Sequence, residues 1–141
     1  MKRFLHIIYV FILSFGFSAI WELSQIGFYT IGEDYRSYIP SFLLFALKDA
    51  VTIIAIYLFL GLIHQNISWE RWWSVTDTII TVVSTLGIAI FMELRALNIG
   101  VLEYSPYMPV IPGIGVGIIP AIQLTLTALI VFYIARTKLT A

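Results

Sequence analysis

The sequence predicts an all-α integral membrane protein, one domain built as a bundle of four transmembrane helices. Three observations lead there. The chain has 141 residues, of which 60% are hydrophobic and 11% charged, whereas a soluble domain is about 25% charged. Its mean hydropathy is +0.97, more apolar surface than one small core can hide. The apolar residues also fall in four continuous runs, each near the ~20 residues that cross a bilayer. Only helices and closed barrels satisfy their backbone groups in lipid. Runs that are continuous rather than alternating read as helices.

The first run covers about residues 4–29 and follows Lys2 and Arg3. A cleavable leader ending near Ala19 is the rival reading, but the apolar run continues past that point. The second run, about 39–63, follows an acidic loop, GEDYRS, and carries Lys48 and Asp49 in its interior. The third, about 74–97, follows Trp69-Glu70-Arg71-Trp72-Trp73. These tryptophans fit an interfacial belt, with Tyr29, Tyr35, Tyr38, Tyr104 and Tyr107 forming the opposite one.

The fourth run, about 113–135, is preceded by a Pro/Gly-rich segment. Asn98 and Gly100 read as the stop of the third helix. Pro106, Pro109 and Pro112 then bar regular helix. Gly113, Gly117, Ala121 and Thr125 predict a small-residue stripe on helix four that permits close packing, and Pro120 predicts an irregular or kinked first turn. Irregular backbone near lipid must be sheltered by protein or line a wet cavity. The loop is therefore expected to fold back as a lid. Its glycines lack the preceding strand and following Lys-Ser/Thr of a phosphate-binding loop.

Basic residues set the orientation. Lys2, Arg3, Arg71, Arg136 and Lys138 fall at one end of the four-helix arrangement, which the positive-inside rule places in the cytoplasm with both termini. The Pro/Gly-rich loop is then extracytoplasmic. A net charge of zero gives no sign of nucleic-acid binding, and the chain has no cysteine, which excludes disulfides and thiolate chemistry. No metal or cofactor motif is visible. His6 and His64 read as interface residues, and so does Asp77.

The informative residues are the ionisable ones inside the apolar runs. Counting ~1.5 Å per residue, Lys48 and Asp49 lie near mid-membrane. Glu22, Glu93 and Arg95 come late in helices one and three, and Gln123 lies at a matching depth in helix four. A charge facing lipid is costly, so such groups turn inward and pair. Ser14, Ser18 and Glu22 share a helical stripe, extended by Gln25. Thr81, Thr85, Ala89 and Glu93 share another. Lys48 is expected to bridge to Glu22 or Glu93, while Asp49, about 100° round the helix, reaches a different neighbour.

Residues 92–123 carry a pattern of Glu93, Gly100, Tyr104, Met108, Pro109, Pro120 and Gln123. It resembles one in small uncharacterised four-helix bacterial membrane proteins, and it implies a bacterial inner-membrane location without implying an activity. A Glu before a Gly- and Tyr-rich loop is also similar to membrane carotenoid hydratases, and four helices with a Glu in the first are similar in architecture to small multidrug transporters.

The functional expectation is a site in the outer half of the bilayer that binds or processes an amphipathic molecule: a lipid, an isoprenoid or a lipid-linked group. Glu22, Asp49 and Glu93 are the candidate acid–base groups, with Lys48, Arg95, Tyr104 and Gln123 as ligand-binding residues. No cofactor is expected. The alternatives are a proton- or cation-coupled transporter acting as a homodimer, and an accessory subunit whose buried charges are purely structural.

Overall fold

The computed structural model describes residues 2–30 and 38–139. It contains four long helices, α1 (Lys2–Ser24), α2 (Ile39–His64), α3 (Val75–Asn98) and α4 (Ile118–Leu139), with short 3-10 turns at Ile26–Phe28 and Trp69–Trp72. All four are long and apolar enough to cross a membrane. The chain thus has the make-up of a multi-pass membrane protein. The GEDYRS loop, with Tyr35 and Arg36, lies outside the described residues.

The buried positions of α1 are His6, Val10, Ser14, Ser18 and Glu22, one every fourth residue. That spacing puts them on one face. Small side chains on this face let α2 come close, and Ala46 and Ala50 of α2 are fully buried. Ala121, Ala128 and Ala135 serve α4 in the same way. In lipid, where no hydrophobic force drives helices together, such close approach is what holds them. α1 packs along α2 and also against α4, and α3 packs on α4. α2 and α3 barely touch.

Helix one ends earlier than its apolar run suggests. It stops at Ser24, and 25–30 turn through 3-10 geometry into extended backbone. There Tyr29 pairs with Tyr104 in an isolated antiparallel bridge, and the Thr30 N–H donates to the Glu103 carbonyl at 2.7 Å. Backbone pairing with the 99–117 segment replaces the helical hydrogen bonds that the last residues of the run give up.

Helix four begins later than its run. Residues 113–117 are not helical. Gly113 and Gly115 take φ of +83° and +78°, which only glycine adopts freely. They make a tight reversal in which the Ile111 N–H donates to the Val116 carbonyl at 2.8 Å and the Ile118 N–H to the Pro109 carbonyl at 2.7 Å. The expected stripe through Gly113 and Gly117 therefore does not exist as a helix face. Pro120 falls in the first turn of α4, where no N–H is required of it, so it neither kinks nor breaks the helix.

The other end of the bundle holds the main apolar core. Trp69 is fully buried. Its ring packs on Tyr57 and Phe132, with centroids 5.7 and 5.3 Å away, and its Nε1 donates to the Tyr57 carbonyl at 3.0 Å. This corrects the belt reading. Trp69 is a core residue, Trp73 is half-buried, and only Trp72 is largely exposed. Ser74 and Asp77 close the start of α3 as a capping box, which satisfies two orphan N–H groups reciprocally.

Candidate functional site

The site is built from the ends of α1, α3 and α4 and from the middle of α2. Glu22 sits in the last turn of α1 and Asp49 is ten residues into α2. Glu93 comes five residues before the end of α3, and Gln123 is five residues into α4. Segment 25–30 and the 99–117 loop pack over the first turns of α2. There Tyr29, Phe42 and Met108 form a second small core with Phe45, Leu102 and Tyr104 against it.

Gln123 ties three of these groups together. Its Nε2 donates to Glu22 Oε1 at 2.8 Å and to Asp49 Oδ2 at 2.6 Å. Its Oε1 accepts from Gln25 Nε2 at 2.7 Å, and that nitrogen also reaches Glu22 Oε2 at 3.1 Å. A carboxyl offers mainly acceptors and an amide NH2 two donors, so this amide orientation lets both glutamines donate to the acids. All four residues are buried or nearly so. A buried polar group without a partner is costly, and the network removes most of that cost.

Glu93 belongs to a separate pairing. Its Oε1 accepts from the hydroxyls of Tyr29 at 2.9 Å and Tyr104 at 2.8 Å. The Tyr104 oxygen in turn accepts the Gly117 N–H at 2.9 Å. Burial, reinforced by the Glu93 carboxyl, pushes both phenols well above their usual range. They are therefore neutral donors at any ordinary pH. Oε2 of Glu93 has no hydrogen bond among the described residues.

The two pairings line one cavity of about 60 Å³. Phe45, Lys48, Asp49 and Thr52 of α2 form one wall, and Ile88, Ala89, Met92 and Glu93 of α3 the other. The cavity thus lies where α2 and α3 part. A larger groove of about 210 Å³ adjoins it, and Tyr29, Phe45 and Leu102 line both. The groove is otherwise mostly apolar, with Phe42, Leu44 and Val101 among its residues.

Two expectations need correction. Lys48 makes no ion pair with Glu22, Glu93 or any other acid among the described residues. It is exposed, stands at the mouth of the cavity, and has its ammonium 5.7 Å from the centroid of the Phe45 ring. Glutamine amides and tyrosine hydroxyls satisfy the acids instead. Arg95 is exposed and does not line the cavity. It is two residues from Glu93, on another face of α3. Tyr104 reaches the site through Glu93, and Glu22, Asp49, Lys48, Glu93 and Gln123 all line the cavity. Among the described residues no three His, Asp or Glu side chains converge as a metal site.

The opposite end holds polar pairs that the sequence reading missed. His6 Nε2 lies 2.5 Å from Glu70 Oε1, and the Tyr57 hydroxyl is 3.1 Å from Glu70 Oε2. His64 Nε2 lies 2.8 Å from Asp77 Oδ1. Both histidines, near helix ends, have a carboxylate partner. Each pins a helix to the turn that holds Trp69 or to the cap of α3. Asp77 is buried in the first turn of α3.

Fold and site together define a small four-helix protein of membrane type with an acid-lined cavity open between two helices. No family model, no curated protein and no solved structure matches the chain. The functional reading therefore rests on the site alone.

Proposed function

We propose that the cavity binds the polar head of an amphipathic molecule that reaches it sideways from the lipid, between α2 and α3. One observation carries this reading: a small cavity lined by three acids opens where two membrane-type helices separate, and an apolar groove adjoins it. The cavity has room for on the order of four water-sized groups, enough for a compact head. The groove suits the first part of an apolar chain. Three carboxyls against one lysine favour a head that donates hydrogen bonds, such as a hydroxyl or an ammonium.

Glu93 is the residue best placed to touch the ligand, because Oε2 is free while Oε1 is fixed by two phenols. If the bound molecule is processed, Glu93 is the acid–base group toward its head, with Glu22 and Asp49 behind it. The 99–117 loop acts as the lid. Basic residues gathered at the other end of the bundle support cytoplasmic termini with lid and cavity turned outward, and the resemblance read over 92–123 is the reason for proposing a bacterial inner membrane.

A second reading, proton or cation transport by a dimer, has one observation in its favour. His6, Ser14, Ser18 and Glu22 on α1, and Asp77, Thr81, Thr85 and Glu93 on α3, make polar stripes that run to both ends of the bundle. The third, a purely structural role for the charges in an accessory subunit, is disfavoured by Lys48, which forms no direct ion pair with an acid among the described residues.

The test compares Glu93→Gln and Lys48→Met in detergent, reading thermal stability and the amphipathic molecules retained after purification. Binding predicts near-native melting with reduced or altered retention in both. Unchanged retention in two folded variants contradicts it. Vesicle flux of protons that both substitutions abolish, with retention unchanged, transfers support to the transport reading.

A further inference from the structure

A second concave surface lies at the end that holds the termini, away from the cavity. An open groove of about 580 Å³ runs along the first three turns of α1 to the Trp69–Trp72 turn. Its rim carries Lys2, Arg3 and Arg71, all exposed. None of the three forms an ion pair among the described residues. The acid next to Arg71 in sequence is kept out of it. Glu70 precedes Arg71 in sequence, yet the 3-10 turn directs Glu70 into the bundle, where it is fully buried and held by His6 and Tyr57. Arg71 points the other way. The turn thus separates an adjacent acid and base, and among the described residues the groove is lined by Lys2, Arg3 and Arg71 and by no acid.

Below this rim the lining changes character. Leu5, Ile8 and Ile12 line the groove and are 58%, 37% and 60% exposed. Their spacing places them on one face of α1, in a line about 10 Å long. Cations above a strip of aliphatic side chains match a phosphodiester above an acyl chain.

We propose that this groove is a binding site for an anionic glycerophospholipid of the adjoining leaflet, with the phosphate among Lys2, Arg3 and Arg71 and one acyl chain along Leu5, Ile8 and Ile12. The charge match favours a lipid with net negative charge over a zwitterionic one, and the aliphatic strip favours a lipid over free phosphate.

Purified protein in a neutral detergent is titrated with dioleoyl phosphatidylglycerol, dioleoyl phosphatidylcholine or inorganic phosphate. Thermal unfolding and bound lipid by native mass spectrometry are read for the wild type and an Arg3→Gln/Arg71→Gln variant. The wild type is expected to melt higher and retain lipid with phosphatidylglycerol only. Each cation near a charged headgroup is worth about 1 kcal/mol, so the double variant should bind phosphatidylglycerol about 30-fold more weakly. High salt should weaken wild-type binding in the same direction. Equal binding of the two lipids overturns the proposal, and so does undiminished binding by the double variant. A response to phosphate alone identifies a free-anion site and also overturns it. Both arginines are exposed, so the variant should fold. If it does not, competition between the two lipids on the wild type decides, and displacement by an equal amount of phosphatidylcholine counts against.

Discussion

Substituting Gln123→Leu removes the side chain that joins three helices at the cavity. Leucine fills a similar volume, so the loss is of hydrogen bonds rather than packing. Three bonds go: to Glu22 at 2.8 Å, to Asp49 at 2.6 Å, and from Gln25 at 2.7 Å. A side-chain hydrogen bond between membrane helices averages about 0.6 kcal/mol and reaches about 1.7. Two of these bonds end on carboxyls, which are the stronger kind. The expected cost is roughly 3 kcal/mol. Reversible unfolding in mixed micelles of dodecyl sulfate and dodecyl maltoside, followed by tryptophan fluorescence, measures it. A double-mutant cycle with Asp49→Leu isolates the pair. Once Asp49 is gone, losing Gln123 should be cheaper by about 1 kcal/mol or more. A single-variant cost below about 0.5 kcal/mol, or a coupling near zero, refutes the view that this amide organises the site.

Other expectations follow from local geometry and are read in the same unfolding assay. A Cβ on Gly117 would lie 2.8 Å from Met108 Sδ and 3.0 Å from the Pro120 ring, so Gly117→Ala should cost about 1–3 kcal/mol. At Gly87 an added Cβ meets nothing within 4 Å, and Gly87→Ala should be neutral or stabilising by up to about 1 kcal/mol. Gln65 caps α2 at φ 54°, a conformation that disfavours side chains, so Gln65→Gly should stabilise by up to about 1 kcal/mol. Tyr29→Phe should cost about 0.6 kcal/mol, because Tyr104 still serves Glu93 Oε1; Tyr104→Phe should cost more, about 1–3 kcal/mol, because it also takes away the acceptor of the Gly117 N–H. The double variant should cost more than their sum, since it leaves that oxygen bare.

Much of this architecture was legible in the chain. Four apolar runs announce four helices because lipid permits little else. The acids stand out because burial in an apolar run is costly unless something compensates. What compensates them was less visible. Opposite charge suggested Lys48 as the partner, but helix rotation and neighbour choice put Gln123 and Gln25 on Glu22, and two tyrosines on Glu93. Tyr29 and Tyr104 reach that acid only because segments 25–30 and 99–117 pair, and residues 75 positions apart carry no local signal of it. His6 and Glu70 were missed for the same reason, being 64 positions apart. The start of α4 was misplaced because Gly113 to Gly117 continue the apolar composition while the backbone turns through positive φ. Hydropathy does not register that change; the run of three alternating glycines does.

The claim that most needs testing is that Glu22, Asp49 and Glu93 line a cavity reached from the lipid between α2 and α3. An alkylamine carrying a diazirine beside its head, photolysed on the reconstituted protein and mapped by mass spectrometry, tests it directly. Labels should concentrate on residues 45–52 and 88–96 and fall when Glu93→Gln is introduced. Labels spread along lipid-facing positions such as Ile79 and Val83, unchanged by that substitution, would contradict the account.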